Sequence, residues 1–91
     1  MNSAFRSFSE ALDLIKSGNR VARIGWGSMK FIFLVPGSNF IVNRPPLLGI
    51  YPEGKEIHYL PHIDCCWLDN SISPWIPTQP DLLSNDWIVI E

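Results

Sequence analysis

Asn43, Arg44 and Tyr51 stand within one stretch, Val42 to Gly54, that also holds Pro45, Pro46 and Pro52. An amide can pair with the edge of a heterocycle, a guanidinium takes a carboxylate or phosphate through two parallel hydrogen bonds, and a phenol ring stacks. Proline fixes φ and donates no hydrogen bond, so Asn43 and Arg44 are led into a constrained, extended path before Pro45. A rigid loop presenting these three groups suits recognition of a polar, planar ligand. The competing reading of Arg44 is a salt bridge that pins the loop to Glu53 or to a neighbouring subunit.

Other chemistry is weaker. His62 and Asp64 sit two apart on an expected strand and so face one side, where they could hold a metal or form two parts of a triad. His58 and His62 are the chain's two histidines, and Pro61 between them excludes a shared helical face. Hydrogen bonding of His62 to a neighbour or a ligand is therefore the preferred role. No Ser lies in a G-x-S-x-G elbow and neither Cys65 nor Cys66 has a base nearby in sequence, so no catalytic residue is assigned. Gly25-Trp26-Gly27 is too short for a phosphate loop, which leaves Trp26 as either a flap on the sheet or a stacking platform. Trp67 and Trp87, within strands, read as core, and Trp75 between Pro74 and Pro77 lies at the rim.

These groups need a frame. Ser7 and Glu10 form an S-x-x-E capping box, and Phe8, Ala11, Leu12 and Ile15 follow one buried helical face that Gly18 and Asn19 end. Glu10, Asp13 and Lys16 fall on its wet side. Strands are expected at Val21–Ile24, at Met29–Val35 (central, covered on both faces), at Phe40–Val42, Glu56–Leu60, Ile63–Leu68, Ser71–Trp75 and Trp87–Ile90. Gly25 to Ser28 reads as a turn, and Pro36-Gly37-Ser38-Asn39 predicts a hairpin joining Met29–Val35 to Phe40–Val42. Thr78 caps a short second helix with Asp81 at its electropositive end and Leu82 and Leu83 as its buried residues. That helix start is also an anion seat beside Thr78 and Gln79, which Asp81 would oppose. The sum is α+β: an N-terminal helix, a mostly antiparallel sheet and a short second helix near the C-terminus.

Ninety-one residues make a single domain, 1–91, near the lower end of independent stability. Four Trp and five Phe in so small a chain favour burial by self-association. A net charge of −2 without a Lys/Arg run argues against DNA, although one Arg can still serve a small anion. Adjacent Cys65 and Cys66 suit neither an ordinary disulfide nor a zinc site and read as buried thiols in a reducing compartment. With no signal peptide and no apolar run long enough for a bilayer, the expected location is the cytoplasm, away from the membrane.

Taken together, the segments F-S-E-A-L-D-L-I-K-S-G (Phe8 to Gly18), V-A-R-I-G-W (Val21 to Trp26), F-L-V-P-G-S (Phe33 to Ser38), V-N-R-P-P-L-L-G-I-Y-P-E-G (Val42 to Gly54), P-H-I-D (Pro61 to Asp64), P-W-I-P-T-Q-P-D-L-L (Pro74 to Leu83) and Asp86-Trp87 are similar to those of the second type of phage anti-Thoeris proteins. The resemblance covers nearly the whole chain and departs from it in the Cys65-Cys66-Trp67 strand and the Trp67-to-Ser73 turn. It implies a non-enzymatic sponge without metal or cofactor. Such a protein acts in the infected bacterial cytoplasm, holding a cyclic ADP-ribose isomer, uncleaved, in pockets between subunits of a homotetramer. Some relatives also hold cyclic dinucleotides at a separate site. For such a ligand, Trp26, Tyr51 or Trp75 offers a face to adenine and Asn43 an amide to its edge. Arg44, with Arg23, would take the pyrophosphate, and Asp64, His62, Thr78 or Gln79 would take ribose hydroxyls. The rival readings are a phage module that docks on a host protein through exposed aromatics, and a hydrolase acting on the same class of nucleotide.

Overall fold

The computed structural model describes residues 5–27 and 29–91. Helix α1 (Phe8–Lys16) starts as expected: Ser7 Oγ accepts from the Glu10 N–H at 3.2 Å and the Glu10 carboxylate accepts from the Ser7 N–H at 3.0 Å. Ala11 and Ile15 are fully buried and Phe8 packs beside them, while Glu10, Asp13 and Lys16 are exposed. Gly18, at φ +96°, turns the chain out of the helix, a conformation that suits glycine.

Seven strands follow: β1 (Arg20–Arg23), β2 (Phe31–Val35), β3 (Ser38–Ile41), β4 (Glu56–Tyr59), β5 (His62–Cys66), β6 (Ile72–Pro74) and, after helix α2 (Gln79–Leu83), β7 (Trp87–Ile90). The architecture is α+β, as the sequence predicts. Ile24 leaves β1 and joins Gly25 and Trp26 in a single 3₁₀ turn, and Ser28, the end of the expected turn, lies outside the described residues. One antiparallel sheet has the order β6-β5-β2-β1-β7. β2 is central, but α1 covers only its inner side: Ile32 is fully buried there, whereas Phe31 and Phe33 on the outer side are half-buried. The expected cover on both faces is not supplied by the described residues.

The expected hairpin between β2 and β3 does not form. β1 and β5 already occupy both edges of β2, so no row of backbone donors and acceptors is left for β3. Instead β3 pairs with β4 in a separate two-stranded sheet, register Ser38↔Tyr59 to Ile41↔Glu56. Gly37 permits this departure, because a Cβ there would lie 2.5 Å from the Tyr59 carbonyl oxygen. The two strands and the proline-rich loop make an arm, and the molecule measures 56 × 26 × 25 Å.

The core is the inner sheet face beneath α1: Val21, Ile32, Cys65 and Trp87, all fully buried, with Leu34 and Ile63 packed at its margin. Helix α2 departs from its expected burial. Leu82 and Leu83 are 38% and 75% exposed, and Asp81 is the buried residue. Asp81 goes inward because it is bonded there. Its carboxylate accepts from the Thr78 N–H at 2.9 Å and from Arg23 Nη1 at 3.0 Å, while its backbone oxygen accepts from Trp87 Nε1 at 3.0 Å.

Candidate functional site

The nine residues singled out from the sequence fall in several places. Trp26 and Trp75 belong to an aromatic cluster over the inner core. Trp26 meets Trp87 edge-on, with centroids 5.2 Å apart and planes at 78°, and Trp75 lies 5.8 Å from Phe8 and 6.0 Å from Trp87. Both rings are half-buried, and such edge-to-face pairs add about 0.5–1.5 kcal/mol each beyond area burial. Trp26 is thus a flap held on the sheet, and the Lys30 ammonium sits over its ring at 4.3 Å.

Thr78 is engaged at the α2 cap, where its hydroxyl accepts from the Asp81 N–H at 3.2 Å. Gln79 beside it is exposed. Burial pushes the Asp81 carboxyl up, but the Thr78 N–H, the Arg23 guanidinium and the Thr78 hydroxyl outweigh it and hold the group below its ordinary 3.8. A permanent carboxylate therefore occupies the helix N-terminus, which no longer serves a foreign anion. Arg23 is likewise unavailable for a pyrophosphate. Its Nε donates to Asp86 at 3.1 Å and its Nη1 to Asp81, and these bonds raise its already high pKa.

His62 and Asp64 share the outer face of β5, His62 Nε2 standing 3.3 Å from Asp64 Oδ1. That oxygen is buried yet receives no well-aligned hydrogen bond. His62 also lines a cleft of about 460 Å³ with Tyr59, Leu60, Pro61 and Pro74. Among the described residues no group of three or more His, Cys, Asp or Glu side chains could hold a metal ion. Cys65 and Cys66 are free and buried, and desolvation raises the Cys65 thiol pKa, which keeps it protonated and unreactive.

Asn43, Arg44 and Tyr51 project on the arm, all exposed. The loop is braced from within by Val42 N–H to Lys55 O at 2.9 Å and Tyr51 N–H to Leu47 O at 2.7 Å. Arg44 makes no ion pair with Glu53 or with any other described carboxylate. The hollow that Asn43 and Arg44 line holds only about 140 Å³, below the roughly 300–1,000 Å³ of a small-molecule pocket.

A broader hollow, about 590 Å³ and widely open to solvent, lies where the sequence pointed to no site: Lys30, Trp67, Leu68, Asp69, Ser71 and Ser73 line it. Trp67, expected in the core, is 38% exposed because β5 ends at Cys66 and the chain turns there. Its indole is fixed in place, Nε1 donating to Ser73 Oγ at 2.7 Å, and Lys30 Nζ stands 4.7 Å from its ring centre. Lys30 therefore lies between two indoles without a carboxylate partner among the described residues. Asp69 Oδ1 accepts from the Ser71 hydroxyl and N–H, at 2.6 and 2.9 Å, and these bonds hold its carboxyl below the usual 3.8. A fixed ring, a cation, hydroxyls and a carboxylate here match the parts of a nucleotide. The usable signal in the sequence was the Trp67-to-Ser73 turn, with an aromatic, an acid and two serines in seven residues.

No helix of the described residues is long and apolar enough to cross a membrane. Residues 6–90 match the family described as the Thoeris anti-defense 2-like domain. Thoeris anti-defense 2 of Bacillus phage SP01 is 33% identical over 85 residues, which cover 92% of this chain and 93% of that protein.

Proposed function

The chain belongs to the Thoeris anti-defence 2-like family, and from that premise we propose that it blocks Thoeris defence by binding a cyclic ADP-ribose-type signal and holding it uncleaved. The observation that carries the chemistry is the hollow of about 590 Å³ beside Trp67 and Lys30. The adenine ring stacks on the tethered indole of Trp67, and such stacking is worth about 1–3 kcal/mol per base. The Lys30 ammonium meets the phosphates, and Ser71, Ser73 and Asp69 take ribose hydroxyls.

The arm supplies the rest. Arg44 is an exposed guanidinium without a carboxylate partner among the described residues, on a braced loop with Asn43 and Tyr51, beside a hollow too small for the ligand alone. We place this arm across a neighbouring subunit of a homotetramer, where Arg44 pairs with the pyrophosphate and the pocket closes between chains. Neither the two cysteines nor His62 and Asp64 line the hollow beside Trp67. Cys65 and Cys66 are buried, and His62 and Asp64 stand on the sheet face opposite the core. A separate seat for cyclic dinucleotides belongs to the same proposal, with His62 and the cleft of about 460 Å³ as its place.

The deciding experiment incubates the protein with cyclic ADP-ribose isomers and cyclic dinucleotides, removes free ligand by filtration, and denatures the protein. Intact cyclic ADP-ribose isomer is the expected release. A processed product would make the protein a hydrolase, and no retained nucleotide would favour the host-protein docking module. Lys30→Gln and Trp67→Ala should each reduce retention at least tenfold, whereas Leu83→Ser, on exposed α2, should not.

A further inference from the structure

The strand register arranges the outer face of the five-stranded sheet in two cross-strand rows. Val21↔Ile32 sets Arg20 level with Phe33, and Phe33↔Asp64, Arg20↔Ile90 and Asp64↔Pro74 complete one row: Ile90, Arg20, Phe33, Asp64, Pro74. The second row, by the same pairings, is Ile88, Ala22, Phe31, Cys66, Ile72. Eight of these ten side chains carry no charge or amide, and the exceptions, Arg20 and Asp64, flank Phe33 symmetrically. The Arg20 guanidinium has no carboxylate partner among the described residues and rests over the Phe31 ring at 5.0 Å. The Asp64 side chain is 16% exposed, has only His62 within ion-pair distance, and keeps a buried oxygen without a proper donor. A desolvated carboxylate beside an unpaired guanidinium, on one apolar face, is half of a complementary set.

We propose that this face is the contact between two copies of the chain, in which Arg20 of each copy pairs with Asp64 of the partner subunit. The inference rests on the self-assembly proposed above and deepens it. The geometry follows from the register. Arg20 and Asp64 are separated by two strand spacings, about 10 Å, with β2 midway. A twofold axis running along β2, between the two sheets, exchanges the flanking strands. It therefore lays each guanidinium over the partner subunit's carboxylate and Phe33 over Phe33 of the partner subunit. Sheets pack about 10 Å apart, a gap that an arginine side chain spans. A second copy, unlike a partner of arbitrary sequence, brings the matching pair of charges automatically.

The test measures the mass of the full chain by sedimentation at micromolar concentration, alongside nucleotide retention. Arg20→Asp and Asp64→Arg should each weaken self-association at least tenfold, and the double variant, which restores opposite charges across the axis, should recover it. Arg20→Gln, at an exposed position, keeps the test valid if a charge reversal impairs folding; it too should weaken association at least tenfold. A wild-type monomer, single variants that assemble normally, or a double variant no better than the singles would overturn the inference. Retained nucleotide on a monomer would leave the function standing and remove this interface. A charge-swap rescue in a protein that retains no nucleotide would do the reverse.

Discussion

Trp26 lies under the Lys30 ammonium and edge-on to Trp87, so its ring is committed before any ligand arrives. Truncating a buried Trp costs about 3–5 kcal/mol, and a half-buried one less. Trp26→Ala should therefore lower stability by about 2–3 kcal/mol. The folded fraction should keep its affinity to within a few-fold, measured by thermal midpoint and titration on the same sample. A stable variant with tenfold weaker binding would instead give the ring a part in the site, by stacking or by holding Lys30. Arg44 is the opposite case, since among the described residues it makes no ion pair whose loss could unfold the arm. A hydrogen bond to a charged group is worth about 1.5–3 kcal/mol, so Arg44→Ala should weaken nucleotide binding at least tenfold at unchanged thermal midpoint. Normal binding by that variant would move the phosphate seat wholly to Lys30. The sequence made Arg44 legible because prolines isolate it. Lys30 and Trp67 were not legible, because an apolar run around Lys30 and a strand before Trp67 look like core until the strand's end is known.

At the scale of elements, the helix caps and the mostly antiparallel sheet were legible and the pairing of β3 was not. Both helix starts carry their capping boxes, at Ser7 and Thr78, since a cap involves only neighbours in sequence. The β2–β3 hairpin failed because pairing depends on which edges distant strands have already taken, and β5 lies far along the chain. Asp81 shows the same limit. Its role as a cap was visible, but its burial comes from Arg23, 58 residues away. This clamp of α2 to β1 should matter for stability. Removing one partner of a buried pair costs about 3–5 kcal/mol, and the 10% side-chain exposure of Asp81 sets Asp81→Ala near the lower end, about 3 kcal/mol. The folded-state pKa of Asp81 is depressed, so its stabilisation is complete above the ordinary value of 3.8 and disappears as pH falls through the lower, folded value. The thermal midpoint of the wild type should hold from about pH 8 to 5 and drop below about pH 4, and Asp81→Ala should lose part of that acid sensitivity. An unchanged acid limb in the variant would assign it to other carboxylates.

On the scale of the whole molecule, one chain is drawn out by its arm. Its radius of gyration is 16.4 Å, where 91 compact residues give roughly 12 Å. A lone two-stranded ribbon is marginal in water, yet the arm exposes Ile41 by 52%, Ile50 by 68% and Leu60 by 75%. Leu60 borders the cleft that Pro74 of the outer sheet face also lines, whereas Ile41 and Ile50 stand farther out on the arm and give the chain a second apolar surface. Two different twofold contacts on one chain close into an assembly of four with dihedral symmetry when their axes cross at right angles, the arrangement the proposed tetramer requires. Composition hinted at association through its many aromatics, but the surfaces that meet in the proposed assembly depend on the departure of β3 and so were hidden from sequence. Ile50→Lys places a charge on the arm and leaves the sheet face untouched. It should convert tetramers to dimers of about twice 10.4 kDa, with the thermal midpoint of the core little changed. Combined with Arg20→Asp it should yield monomers, since each substitution removes one of the two contacts. If Ile50→Lys still sediments as a tetramer, the arm lies outside the assembly, and Arg44 then acts within its own chain.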